Sequence, residues 1–149
     1  MTPNHHLGTT PPPWALRLGH AGLIPFVFGA ALVHLVDAAL MPFTMLALAA
    51  YAATVASFLG GIHWGLAMRD TGHSRLFPYV WGAIPGVLSS IAVIMPPWAG
   101  LVVLGLLLAA CYGVDRQLYL HYQLQGWLPL RFRLTLVASL SCMVGAYDM

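Results

Sequence analysis

The sequence predicts an all-α fold, a membrane-embedded bundle of five transmembrane helices. Of its 149 residues, 60% are hydrophobic and only 7% are charged, and the mean hydropathy is +0.80. A soluble domain typically carries about 25% charged residues. Five apolar segments follow one another, each of about 20 residues, which is the length that a helix needs to cross a bilayer. These segments cover residues 18–36, 43–68, 77–95, 98–119 and 133–147.

Little of the chain remains outside these spans. Residues 1–16 are polar and rich in proline, so we expect a disordered tail that lacks the apolar region of a signal peptide, and residues 17–149 form the membrane domain. A net charge of +2 is too small to indicate nucleic-acid binding. Cys111 and Cys142 lie in different spans and fit apolar packing positions better than a disulfide or a metal site. We find no nucleophile paired with a base and no phosphate loop, so the sequence predicts neither an enzyme nor a metal centre.

The arginines predict the orientation in the membrane. All six basic residues are arginines, and if the five spans alternate in direction they fall on one side of the bilayer. They are Arg17, Arg69, Arg75, Arg116, Arg131 and Arg133. Basic residues concentrate on the cytoplasmic side of membrane proteins. The sequence therefore predicts that the N-terminus is inside and the C-terminus outside.

The second span carries the strongest pattern of large and small residues, and we expect it to be the hub of the bundle. At about 100° per residue its large side chains form one stripe, which we interpret as facing lipid. That stripe comprises Leu48, Val55, Leu59, Ile62 and Leu66. Small residues on the other side would let neighbouring helices approach closely. The predicted helix-packing positions are Ser57, Gly60, Gly61 and Gly65 in this span, and Gly82 and Gly86 in the third.

Two spans contain an internal proline in similar surroundings, Gly22–Pro25 and Gly82–Pro85. A proline inside a helix removes one backbone donor and bends the helix, so we expect kinks at Pro25 and Pro85. One interpretation is two independent kinks whose freed carbonyls are satisfied by neighbouring helices. The other is a duplicated hairpin with a crevice between the bends.

His63 is the leading candidate for a functional side chain. It lies among small residues in the second span, so it should face protein and have a polar partner. One interpretation is a core histidine bonded to a neighbouring helix. The alternatives are a haem or metal ligand, a proton-relay group, or a donor to a quinone-like head group. His20 is predicted at a similar depth, which makes His20 and His63 a candidate pair of cofactor ligands, although the sequence predicts no particular cofactor.

Charged residues near the same membrane face form a predicted polar cluster of Arg69, Asp115 and Arg116. The simplest interpretation of Asp115 and Arg116 is an ion pair at the interface, or two solvated side chains. The alternative is a buried Asp115 that accepts a hydrogen bond from Arg69 or His63. The candidate partners for His63 are Asp115, Arg69, His20 and the carbonyls that the prolines would free at Ala21 and Trp81.

Four segments together resemble a family of membrane proteins. They are Leu18–Phe26, Ser57–Gly65, the pair Ile84–Pro85, and Leu130–Arg131 with Leu134–Thr135. They resemble the domain-of-unknown-function family numbered 3429, the transmembrane-protein-69-like integral membrane proteins, over nearly the whole chain after residue 17. The Gly-Gly-Ile-His-Trp-Gly stretch is the most specific part. The resemblance implies a bacterial inner (cytoplasmic) membrane protein, or a mitochondrial inner-membrane one in a eukaryote, and it implies no activity. The family pattern has no histidine at position 20, which argues against a haem held by His20 and His63.

Three functions remain open at this point. The first is a non-enzymatic accessory or assembly protein whose small-residue surfaces contact a membrane-protein partner. The second is a protein that binds a lipophilic cofactor or quinone in an inner-leaflet crevice around His63. The third is a small transporter or channel that works as a homodimer, because five spans leave little room for a pathway in one copy. All three place the chain in a lipid bilayer, and none involves nucleic acid.

Overall fold

The computed structural model describes residues 10–69 and 76–147, and in these ranges every regular element is helical. The helices are α1 (Pro13–Ala21), α2 (Ile24–Val33), α3 (Met41–Arg69), α4 (Leu76–Ile94), α5 (Pro97–His121) and α6 (Leu128–Ala146), with a short 3-10 turn at Gln125–Trp127. Five stretches are long and apolar enough to span a membrane, with α1 and α2 together forming the first. The predicted all-α, five-span fold is confirmed.

The helix of the first span is interrupted at Gly22 and Leu23, although the dihedral angles of both residues stay in the right-handed helical region. Helix α1 ends at Ala21, and α2 begins at Ile24 with Pro25 in its first turn, where a missing backbone donor costs nothing. The kink was predicted at Pro25, and the structure has this interruption just before that proline; we call it the break. Pro85, in contrast, lies inside the continuous helix α4. Helix α1 also starts at Pro13, so residues 13–16 are helical although they fall in the predicted tail; residues 1–9 lie outside the described residues.

Helix α3 is the centre of the bundle, as the sequence predicts, and packs against α2, α4, α5 and α6. The main core lies between α2, α3, α5 and α6, and its largest fully buried apolar side chains include Phe26, Leu101, Leu104 and Leu108. The described arginines all lie toward one end of the bundle, near the start of α1 and α6 and near the end of α3 and α5. We call this the arginine end.

Helices α3 and α4 touch backbone to backbone at Gly60 and Gly82. A Cβ atom added to Gly60 would lie 2.2 Å from the Gly82 carbonyl oxygen, so only glycine fits there. One turn along α3, the indole Nε1 of Trp64 donates to the Tyr79 carbonyl oxygen at 2.9 Å. These contacts confirm the predicted packing role of Gly60 and Gly82. Gly86 and Ser57 face each other more loosely, since a Cβ at Gly86 would lie 3.9 Å from the Ser57 hydroxyl oxygen.

Two of the predicted packing positions, Gly61 and Gly65, are wrong for the packing within this chain. Both are exposed, and a Cβ atom at either would meet no atom of another described element within 4 Å. Ser57 is also exposed, and its hydroxyl donates to the Ala53 carbonyl oxygen of its own helix. Helix α3 is therefore rotated so that this row of small residues faces away from the bundle.

The predicted lipid-facing stripe of α3 is wrong for the same reason. Leu48 and Leu59 are buried in the core, with 3% and 6% of their surfaces exposed, and Val55 and Ile62 pack against that core. Lipid and a protein core are both apolar, so large side chains suit either side of a membrane helix. With four helices around α3, its leucines fill the space between α2, α5 and α6.

The last span is longer than predicted. Helix α6 begins at Leu128 rather than at Arg133, and its first turns include Arg131. Its buried face continues with Thr135, Ala138 and Cys142 at helical spacing. An arginine usually marks the end of an apolar segment, but here Arg131 lies inside the helix because it has a buried partner.

Candidate functional site

A charged cluster lies inside the bundle near the arginine end, and Asp115 of α5 is at its centre. One carboxylate oxygen, Oδ1, accepts from Nε2 of His63 on α3 at 2.8 Å. The other, Oδ2, accepts from Nε of Arg131 on α6 at 2.9 Å, and the same guanidinium makes a second contact to Oδ2 through Nη2. One carboxylate therefore connects three helices.

All three members of the cluster are buried. The exposed fractions are 1% for His63, 2% for Asp115 and 7% for Arg131. An isolated charge at this position would be very costly, and a close pair with hydrogen bonds offsets much of that cost. Arg131 and Asp115 neutralise each other. If the His63 ring is neutral and donates through Nε2–H, it adds no further charge to this pair.

The fold brings these residues together in a simple way. Helices α5 and α6 form a hairpin, and Asp115 and Arg131 lie near its closed end. His63 reaches them from the last turns of α3, on the same face as Gly60, which fixes α3 against α4. Tyr119, one turn beyond Asp115, is buried as well.

The structure agrees with part of the predicted site. His63 is buried and its partner is Asp115, one of the predicted candidates. The interpretation of Asp115 and Arg116 as an interfacial or solvated pair is wrong, because Asp115 is buried while Arg116 is exposed. Arg69 is exposed as well and makes no ion pair with the cluster. The predicted polar cluster of Arg69, Asp115 and Arg116 therefore keeps only Asp115.

Arg131 is the member that sequence reasoning missed, because the pattern of charges places it in a loop. The available signal was its position four residues before Thr135, on the face that continues through Ala138 and Cys142. An arginine in register with the small residues on one face of a membrane helix indicates an acidic partner on a neighbouring helix.

The structure does not bring His20 to His63. His20 is exposed, and its Nδ1 lies 2.7 Å from the Leu16 carbonyl oxygen in its own helix. His34, another histidine of the first span, has its Nε2 3.0 Å from the Val144 carbonyl oxygen. Within residues 10–69 and 76–147, no three histidine, cysteine or acidic side chains are placed to hold a metal ion. His73 and Asp70 lie outside the described residues.

The cluster leaves one nitrogen unpaired. Nδ1 of His63 is buried and has no hydrogen-bond partner among the described residues. If Nε2 donates to Asp115, Nδ1 of the neutral ring is an acceptor. The cluster can therefore accept one further hydrogen bond without losing any of its existing ones.

Comparisons with known proteins agree with this architecture. A model of the family described as "Protein of unknown function (DUF3429)" matches residues 11–147. The chain is 35% identical over 134 residues to a protein of Xenopus tropicalis named "Transmembrane protein 69", a match that covers 85% of this chain and 51% of that protein. The chain thus spans about half the length of this relative. No solved structure is significantly similar to this chain. With a family match over nearly its whole length and five helices able to span a membrane, the chain belongs to the DUF3429 family of multi-pass membrane proteins.

Proposed function

We propose that this protein is a non-enzymatic accessory or assembly protein of an inner membrane, which docks a transmembrane helix of a partner protein on one face of α3. The observation that carries the proposal is a row of small residues, Ser57, Gly61 and Gly65, spaced by four and exposed along the central helix. We call this row the small-residue face. It supplies the contact surface on which the accessory role depends.

Small residues at every fourth position are a recurrent feature of contacts between membrane helices. They let two backbones approach closely, and the dispersion attraction between the closely packed helices drives their association in lipid. A glycine in a helix costs about 1 kcal/mol relative to alanine. Gly61 and Gly65 meet no other described part of this chain that would offset that cost. A second helix against the small-residue face would supply packing contacts that offset this cost.

The surroundings of the small-residue face also suit a docked helix. The hydroxyls of Thr54 and Ser57 donate to carbonyls of their own helix, at 3.0 and 2.9 Å, so covering them leaves no unpaired donor. On α4, Gly86 lies beside Ser57 and extends the shallow surface. Phe58 and Met68 stand exposed next to it, with 69% and 65% of their surfaces free. This alternation of a groove with large side chains is the shape that packs against another helix.

The buried charged cluster supports a structural role for the interior. His63 and Asp115 are almost fully enclosed, so a substrate has no direct access to them. They hold α3 to the α5–α6 hairpin, and that keeps the central helix and its small-residue face in one orientation. We therefore assign partner binding to the outside of α3 and stability to its inside.

Site-specific cross-linking with a photoreactive residue at position 58 tests this proposal in native membranes. We expect a defined protein adduct from position 58 and none from position 106 on α5, where Leu106 is exposed on a different helix. The substitution Gly61→Leu should abolish the adduct and leave thermal stability unchanged. The matched substitution Gly60→Leu should lower thermal stability, since Gly60 touches the Gly82 backbone.

Two outcomes would contradict the proposal. Adducts with lipid alone at position 58 would mean that the small-residue face has no protein partner. An adduct of twice the mass of the chain would make a second copy the partner, and would favour the homodimeric transporter or channel over the accessory protein.

A further inference from the structure

A second feature lies next to the small-residue face of α3, where the break in the first span borders a crevice and Phe58 lies between the two surfaces. The crevice has a volume of about 190 Å³ and is lined by residues of five helices. It is bordered at the break by Gly19, Gly22 and Leu23, on α3 by Tyr51 and Leu59, and on α6 by Thr135. The crevice reaches the surface of the bundle beside Phe58, which lines it and has 69% of its surface exposed.

Thr135 is the polar group that gives this crevice a specific chemistry. It is 8% exposed, and its hydroxyl has no hydrogen-bond partner among the described residues. A helical threonine usually donates to a carbonyl of the preceding turn, as Thr44 and Thr54 do in α3. Thr135 does not, and it lines the crevice, so a ligand bound there could pair with this otherwise unpaired donor. An acyl chain alone would leave it unpaired in an apolar site, which is costly.

The walls of the crevice suit a flat ring. Phe26 and Tyr51 meet edge to face, with ring centroids 5.1 Å apart, and Phe58 stands at the opening. The Tyr51 hydroxyl donates to the Gly22 carbonyl oxygen at 2.9 Å, which fixes its ring against the break. An engineered apolar cavity of about 150 Å³ is known to hold benzene. The volume here therefore accommodates one substituted six-membered ring.

We propose that this crevice binds the ring of a quinone, with a ring carbonyl accepting from the Thr135 hydroxyl and the apolar tail lying in the membrane through the lateral opening. A quinone fits each of the three observations: a planar ring for the aromatic walls, a carbonyl for the free donor, and a long tail for the opening toward lipid. The site differs from the charged cluster, which lies one helical turn away at His63 and Arg131. It does not depend on the partner proposed for the small-residue face.

The test uses the full-length protein in lipid nanodiscs and a benzoquinone with a ten-carbon tail as the probe. A ligand that binds only the folded state raises the unfolding temperature as its concentration exceeds Kd. We expect such a rise for the unmodified protein. In Thr135→Val, which keeps the shape and loses the donor, the apparent Kd should be about tenfold weaker, the effect of one hydrogen bond. Thr135→Ser should restore binding to within about threefold, because it keeps the donor.

Ser139→Ala is the matched control. Ser139 lies one turn further along α6, also has an unpaired buried hydroxyl, and does not line the crevice. It should bind the probe as the unmodified protein does. Equal weakening in Thr135→Val and Ser139→Ala would overturn the assignment to Thr135. No rise in unfolding temperature for the unmodified protein, with the fold intact, would overturn the quinone site itself.

Discussion

Asp115 is the residue on which the interior of the arginine end depends. One of its oxygens accepts a hydrogen bond from His63 and the other from Arg131, so both oxygens of this buried carboxylate are paired. A buried pair of this kind adds little net stability over an apolar pair, but removing one partner leaves an uncompensated charge and costs about 3–5 kcal/mol. The cluster therefore favours one packing of α3, α5 and α6, because another arrangement would leave a buried charge without its partner.

The geometry of His63 predicts which substitutions it tolerates. The bond to Asp115 comes from Nε2, the far nitrogen of the ring. A glutamine amide reaches about as far as Nε2, whereas an asparagine amide reaches only to the level of Nδ1. We expect His63→Gln to lose less than about 1 kcal/mol of unfolding free energy, and both His63→Asn and His63→Leu to lose about 1.5–3 kcal/mol, the usual worth of a hydrogen bond to a charged group.

Unfolding in mixed detergent micelles would measure these differences. His20→Leu is the control, because His20 is exposed and bonds only within its own helix. Equal losses in His63→Gln and His63→Leu would mean that the ring itself, and not its donor, determines stability at this position.

At the residue scale, the sequence predicted the burial of His63 and included Asp115 among its candidate partners. It did not predict Arg131, because a positive charge next to an interface is interpreted as lying in water unless an acidic partner is known. The missing information was three-dimensional: the α5–α6 hairpin brings Arg131 to Asp115 across its connection. No spacing along one helix shows that pairing.

At the scale of the element, α3 explains why sequence patterns in membranes predict helices well and their rotation poorly. The length of the span and its central place were predicted correctly. The rotation was wrong because both sides of the helix are apolar, so the contrast between Leu59 and Gly61 does not distinguish core from lipid. Here the buried side combines leucines with Gly60, and the exposed side carries Gly61 and Gly65.

The break between α1 and α2 depends on a contact from α3. Tyr51 donates its hydroxyl hydrogen to the Gly22 carbonyl oxygen at 2.9 Å, the acceptor that the interrupted helix leaves at the break. Tyr51→Phe removes that donor without changing the ring contact with Phe26. We expect a loss of about 0.5–1.5 kcal/mol, the net worth of a neutral hydrogen bond.

Hydrogen exchange of the backbone would localise the effect of Tyr51→Phe. Exchange should rise at residues 22–27, around the break, and stay unchanged in α5. Thr54→Val is the control, since Thr54 bonds only to the Ala50 carbonyl oxygen of its own helix. Faster exchange throughout the bundle in Tyr51→Phe would show that the contact supports the whole fold rather than the break.

At the scale of the whole molecule, the charge distribution predicts the orientation in the membrane. Arg131 is neutralised by Asp115, so it adds little to the charge at the arginine end. The other described arginines, at positions 17, 69, 116 and 133, are all exposed at that end. Four exposed arginines on one side still bias that side toward the cytoplasm, or toward its equivalent in an organelle, by the positive-inside rule.

Paired reporter fusions would test this orientation. One reporter is fluorescent only on the inside of the membrane, and the other is active only on the outside. Fused after Met149, the outside reporter should be active; fused after Leu124, in the connection between α5 and α6, the inside reporter should be active. If both fusions give the opposite result, the whole bundle is inverted. If only the fusion after Met149 gives the opposite result, α6 does not cross the membrane. Arg131 could not then reach Asp115 inside the bundle. The two fusions together therefore test the five-span topology and the charged cluster in one experiment.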